Sequence, residues 1–234
     1  MSLHEIKKRL RDLADRSKAR ELQRFFKTGP GEYAEGDIFL GIRVPDLRKL
    51  AKEYPSMPLK GTRTLLKSPI HDERLVALLI LLSQYQKGDP NVRKRIYTLY
   101  LKHTRFINNW DLVDVSAHHI VGAYLLDKPK EPLHALAKSK SLWERRIAII
   151  STFHYIRLGT FTETMKISKM LLRDEEDLIH KAVGWMLREV GKRDLKTEET
   201  FLKRHYRNMP RTMLRYAIER FPEPKRLKYL KGKM

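Results

Sequence analysis

Four ten-residue segments of this chain align on one another at offsets of 37, 35 and 35 residues: Asp72–Leu81, Asn109–His118, Glu144–Phe153 and Ile179–Arg188. Each has the spacing of an amphipathic helix, and each is followed by a shorter second helical pattern. That is the period of a two-helix solenoid, in which neighbouring pairs bury their apolar faces against one another. Proline marks the expected helix starts, at Pro45, Pro69, Pro90, Pro132, Pro210 and Pro222. The reading is an all-α fold over residues 1–234, a single domain of antiparallel helix pairs curved around a basic concave face. Thr28–Arg43, with glycines at 29, 31, 36 and 41, is the exception and is expected to be an irregular loop. Asp37–Val44 has strand-like composition, but a lone strand has nothing to pair with.

The aligned columns expose two misfits. Asp114 stands where the sister repeats have Ala77, Ile149 and Gly184, and Trp185 stands where they have Leu78, Val115 and Ile150. A carboxylate in a mostly apolar column is costly unless it is paired or hydrogen-bonded. Either a structural Asp bonded to a neighbouring helix end or a functional one satisfies that condition. Trp110 lies four residues before Asp114 and therefore shares its helix face. Trp143 reads as a core residue.

Charge restricts the partners. Forty-nine Lys and Arg face 28 Asp and Glu, a formal excess of 21. Such an excess disfavours the compact state by self-repulsion, and a polyanion is its usual compensation. The last stretch, Arg188–Met234, carries fifteen of these cations against six acids, with Arg204, Arg207, Arg211 and Arg215 expected along one side of its helices. Contacts from such residues to phosphates give affinity without sequence preference. A membrane is the weaker candidate, because the longest apolar run, Leu75–Leu82, is far below the ~20 residues needed to span a bilayer. No signal peptide is evident, and with no cysteine there is neither disulfide nor thiolate site. These features suit a cytoplasmic, nucleoid-associated protein. Phosphate-loop, dinucleotide, zinc-protease and nucleophile-elbow motifs are all missing. His118 and His119, about 100° apart on a helix, cannot chelate a metal without partners and read as helix surface or core edge. No metal or cofactor is expected.

The strings Trp110-Asp111-Leu112-Val113-Asp114, Trp143-Glu144-Arg145-Arg146 and Lys181-Ala182-Val183-Gly184-Trp185-Met186-Leu187-Arg188-Glu189, with Phe39-Leu40-Gly41-Ile42, Pro45 and Arg48 before them, resemble the AlkD family of DNA glycosylases. The resemblance covers most of the chain. It implies HEAT-like repeats and excision of cationic N3- or N7-alkylated purines from duplex DNA in base excision repair. It places the family's catalytic aspartate on Asp114, its site tryptophans on Trp110 and Trp185, and its site arginine on Arg146. A solenoid of this size can act as a monomer, and no obligatory protein partner is expected. An aromatic of the family near the end of the second helix is matched loosely by Phe25 or Phe26. Two other readings stay open from the residues. One is a non-catalytic repeat module that binds damaged or branched DNA. The other is an RNA-reading repeat protein, which would need a repeated base-reading pair that the columns do not contain.

Overall fold

The computed structural model describes residues 2–234, and it is all-α. Its chain forms two compact units, the first ending at Ser116 and the second comprising Ala117–Met234.

The first unit contains α1 (Leu3–Asp12), α2 (Arg16–Phe25), α3 (Val44–Lys52), α4 (Leu59–Leu66), α5 (His71–Lys87), α6 (Pro90–Lys102) and α7 (Trp110–Ala117), whose last residue opens the second unit. Local chemistry sets several of these starts. Ser2 and Glu5 form a reciprocal capping box on α1, and Asp15 accepts the Ser17 and Lys18 amides at the start of α2. Asp89 caps α6 ahead of Pro90. The centre of the unit is α5, with α1, α3, α4 and α6 packed on it. Thirteen of its seventeen residues are buried, so it lacks the single apolar stripe of a surface helix. Its buried charges are answered: Glu73 pairs with Lys7 at 2.9 Å, and Arg74 donates to Asp37 at 2.7 Å and to the Ser68 carbonyl at 3.0 Å.

The 28–43 segment is irregular, as its glycines predict. Its strand-like half does find a backbone partner, in one parallel bridge between Ile38 and Ile70, although no strand forms among the described residues. The His71 amide donates to the Ile38 carbonyl at 2.8 Å, and the Asp72 carboxylate accepts from the Leu40 amide at 2.7 Å. Sequence alone offered no partner because this one comes from the two residues that precede α5. Gly41, at φ +81°, completes the fit: a Cβ there would lie 2.2 Å from the Asp15 carbonyl oxygen, so only glycine lets the loop reach the start of α2.

The second unit begins with a π-helical turn at His118–Gly122, followed by α8 (Glu131–Ala137), α9 (Leu142–Ser151) and α10 (Phe153–Arg157). It continues with α11 (Thr162–Met170), α12 (Asp177–Gly191), α13 (Leu195–His205), α14 (Arg211–Ala217) and α15 (Glu223–Leu230). Here α12 is central, with α9, α11, α13 and α14 packed around it. Gly184 permits a close contact with α14, since a Cβ would come within 2.5 Å of the Met213 carbonyl oxygen. Trp143 is in the core, as its sequence position predicts. The four aligned segments fall on α5, α7, α9 (running into α10) and α12.

Candidate active site

In the first unit the site is built on the opening turns of α7. Asn109 is fully buried, and its side-chain oxygen accepts the Trp110 amide at 2.8 Å, which fixes where the helix begins. Trp110 and Asp114 then fall one turn apart, both half-buried. Asp114 is near enough to the buried Tyr100 for its charge to help burial push the Tyr100 hydroxyl above its usual range. The carboxylate singled out by the repeat alignment is therefore neither sealed in the core nor lost to solvent.

Trp110 rests on a column of rings. Its indole stacks on Phe26 (centroids 5.1 Å apart, planes at 18°), Phe26 stacks on Phe39 (4.9 Å, 21°), and Phe39 stacks on His71 (4.3 Å, 22°). Phe25 meets the indole edge-on at 6.0 Å and is itself 64% exposed. Offset pairs of this kind add about 0.5–1.5 kcal/mol each beyond their buried area. Both aromatics loosely matched in sequence thus reach Trp110, Phe26 as its support and Phe25 at its edge.

The far end of the column is electrostatically clamped. His71 is buried, with Nε2 at 2.8 Å from Asp111 Oδ2 and Nδ1 at 3.3 Å from Asp37 Oδ2. Burial alone would lower its pKa, but the hydrogen bonds to Asp111 and Asp37 outweigh it and raise the imidazole above its usual value. Burial likewise acts to raise Asp37, yet the hydrogen bond from His71 and the charge and hydrogen bond of Arg74 hold that carboxyl below the usual range. Since Asp111 directly follows Trp110, one imidazole ties the first turn of α7 to α5 and to the 28–43 loop. Beside the column opens a cleft of about 190 Å³, lined by Phe26, Phe39, Ile42, Leu47, His71 and Asp111 among others.

In the second unit, Arg146 on α9 is buried, and its guanidinium donates to the Leu178 carbonyl on α12. Trp185 is half-buried on α12, with its ring centre 5.9 Å from that of Phe153. Phe153 meets His118 at 5.3 Å, and the His118 and His119 rings approach to 3.8 Å on the π-helical turn. Such turns occur often at functional sites. The Arg193 guanidinium lies 6.0 Å over the Phe153 ring. Glu189 is drawn below its usual pKa: burial opposes this, but hydrogen bonds from Lys192, Arg193 and Trp185 prevail. Trp185 therefore has a fixed neighbourhood, with Phe153 against its ring and Glu189 as its polar partner.

The DNA alkylation repair enzyme family matches residues 6–221, more than nine-tenths of the chain. The chain belongs to that family. Among solved structures, it is similar to a predicted DNA alkylation repair enzyme from Enterococcus faecalis (TM-score 0.68, 17% identity, covering 90% of this chain and 97% of that one). It is also similar to AlkD2 from Streptococcus mutans (TM-score 0.55, 17% identity, covering 88% and 98%). At this identity the two neighbours establish the common fold. No curated protein matches it in sequence. Membership of the DNA alkylation repair enzyme family assigns the chain a role in repair of alkylated DNA, with DNA as its partner. No helix among the described residues is long and apolar enough to cross a membrane.

For a member of the DNA alkylation repair enzyme family, sequence reasoning missed Phe39, His71, Asp111 and Phe153. The first three are spread over seventy residues and meet only in the fold, where His71 touches both Phe39 of the 28–43 loop and Asp111. The signal available in advance was the buried-helix position of His71 and Asp72, polar residues at the start of an otherwise apolar run.

Proposed function

We propose that this chain is a monofunctional DNA glycosylase that releases cationic N3- and N7-alkylated purines from duplex DNA. The observation that carries the reading is Asp114, a half-buried carboxylate one helical turn from the half-buried, ring-supported Trp110.

The substrate dictates the chemistry. A purine alkylated at N3 or N7 carries a positive charge, so it is already a good leaving group. The bond between N9 and C1′ of the sugar breaks with its electron pair going to the purine, which departs neutral and needs no general acid. The charge moves to the sugar as an oxocarbenium-like ion, as in glycoside hydrolysis. Asp114 stabilises that ion and orients the water that adds at C1′, and the water's proton is lost to the carboxylate or to solvent. A carboxylate ~4 Å from a full positive charge, at an effective dielectric of ~20, contributes about 4 kcal/mol. Realised wholly in the transition state, this is about a thousandfold in rate. The cationic ground state shares some of it, so a thousandfold is a ceiling.

In the first unit Trp110 packs against the deoxyribose and excludes bulk water, with Phe25 extending the apolar surface beside it; in the second, Trp185 offers an apolar contact to the DNA backbone. Arg146, its guanidinium oriented by the Leu178 carbonyl, meets a backbone phosphate of the duplex. No metal or cofactor is needed. Selectivity then follows from lesion charge and weakened stacking. The test is base release from duplexes carrying 7-methylguanine, N3-methyladenine, uracil or 8-oxoguanine. The two cationic bases should be freed and the two neutral ones retained, and efficient release of uracil would refute the mechanism. Salt-sensitive DNA binding without release of either cationic base would favour a non-catalytic binding module.

A further inference from the structure

Two stretches of the first unit contain no acidic residue at all. Between Glu53 and Asp72 the charged side chains are Lys60, Arg63 and Lys67, and between Asp89 and Asp111 they are Arg93, Lys94, Arg95, Lys102 and Arg105. The fold brings these stretches together on α4, α6 and the 3₁₀ turn Thr104–Phe106. Between α4 and α6 lies a shallow groove of about 350 Å³. Its rim carries Arg63 from one helix and Lys94, Arg95 and Lys102 from the other, and its floor is Leu59 and Leu99 with the Thr98 side chain.

All four cations are exposed, and among the described residues none has a carboxylate partner. Some cations elsewhere do have such partners, as in Arg145–Asp174, Lys166–Glu163 and Lys181–Asp177. Arg93, by contrast, donates to the Tyr85 and Gln86 carbonyls. Next to the groove, the Phe106 ring is flanked by two further cations, Arg105 at 4.6 Å and Lys67 at 5.8 Å.

This surface is not the one that carries the candidate catalytic residue. Buried Ile96 and Tyr100 define the inner face of α6, and the Tyr100 hydroxyl meets Ser116 on α7 at 2.9 Å. Arg95 and Lys102, a full two turns apart, lie well around the helix from that face. Four like charges left unneutralised around one groove repel one another unless a polyanion fills it. A lipid surface fits poorly, because a membrane-binding face also exposes apolar anchors. The chain's exposed large apolar side chains, such as Leu13, Phe25, Ile38 and Val44, are all outside α4 and α6.

We propose that the α4–α6 groove is a second nucleic-acid contact that takes the sugar-phosphate backbone of a duplex segment other than the one bearing the lesion. It would let one molecule hold two segments of DNA at once. The proposal rests on DNA being the partner, as the repair reading holds, and adds a second place of attachment.

The experiment loads the full chain onto an immobilised lesion-free duplex, washes, and measures capture of a second, fluorescent duplex. Wild type should capture it, with capture falling about a hundredfold between 50 and 200 mM salt, the dependence that four phosphate contacts produce. The combined variant Arg63→Gln, Lys94→Gln, Arg95→Gln, Lys102→Gln should lose capture at least tenfold. It should keep its helical circular dichroism and its base release from a single short duplex. The version with four Glu substitutions should abolish capture. Equal capture by wild type and the Gln variant would overturn the proposal. So would wild type that holds the first duplex but never a second, or that retains phosphatidylserine vesicles in the second duplex's place. A chain that does not bind the first duplex would instead refute the DNA reading beneath it.

Discussion

His71→Phe tests whether the ring column is held by its electrostatic clamp. The substitution keeps an aromatic ring stacked on Phe39 and removes only the two N–H donors, at 2.8 Å from Asp111 and 3.3 Å from Asp37. Asp37 keeps Arg74 at 2.7 Å, whereas Asp111, 18% exposed, turns to water. Removing one partner of a buried charged pair costs about 3–5 kcal/mol, and the surviving partners put this case near 3. For a chain of this length, that lowers Tm by about 6–12 °C. The pH dependence is the sharper part. Because His71 has a raised pKa in the fold, its contribution is complete below the unfolded value of about 6.5 and is lost as pH rises through the folded value. Thermal and urea unfolding of wild type and variant, run from pH 6 to pH 9, should show a stability gap that is largest at pH 6 and narrows steadily upward. A gap that is flat or widening across that range would refute the clamp. The variant should also lose base release beyond any loss of DNA binding, since the first turn of α7 is released.

Glu198→Gln and Gly184→Ala probe the second unit. Burial, with the Glu199 charge second, pushes the Glu198 carboxyl up to about 8, so the fold loses stability as pH rises from about 4.5 through 8; Glu198→Gln should gain about 3 kcal/mol at pH 7 and almost nothing at pH 4.5, and identical gains at both would contradict this. Gly184→Ala puts a methyl group 2.5 Å from the Met213 carbonyl oxygen, so it should cost about 1–3 kcal/mol and lower Tm, and an unchanged Tm would show that α12 and α14 are not in the contact described.

The helices were legible because their period survives in the apolar positions: all four aligned segments are on helices, and the prolines stand at or within two residues of helix starts. Trp110 and Asp114 were legible for the same reason, since a misfit shows only against an established column. What tertiary contact creates was not legible. The column Trp110–Phe26–Phe39–His71 joins residues from four distant segments through an irregular loop that has no period to read. Asp111 carries no signal of its own in the sequence, and only the fold brings His71 to it. His118 read as surface or core edge, and it sits at a π-helical turn against Phe153. The four C-terminal arginines fall on α13, a 3₁₀ turn and α14 rather than on one continuous helix.

The most direct test of the central claim is release of 7-methylguanine from duplex DNA by the wild type and by Asp114→Asn. The exchange keeps the size of the side chain and removes only its charge. Wild type should release the base, and the variant should fall at least tenfold, up to about a thousandfold, while binding the duplex as before. Release undiminished in Asp114→Asn would contradict the account and move catalysis to another group.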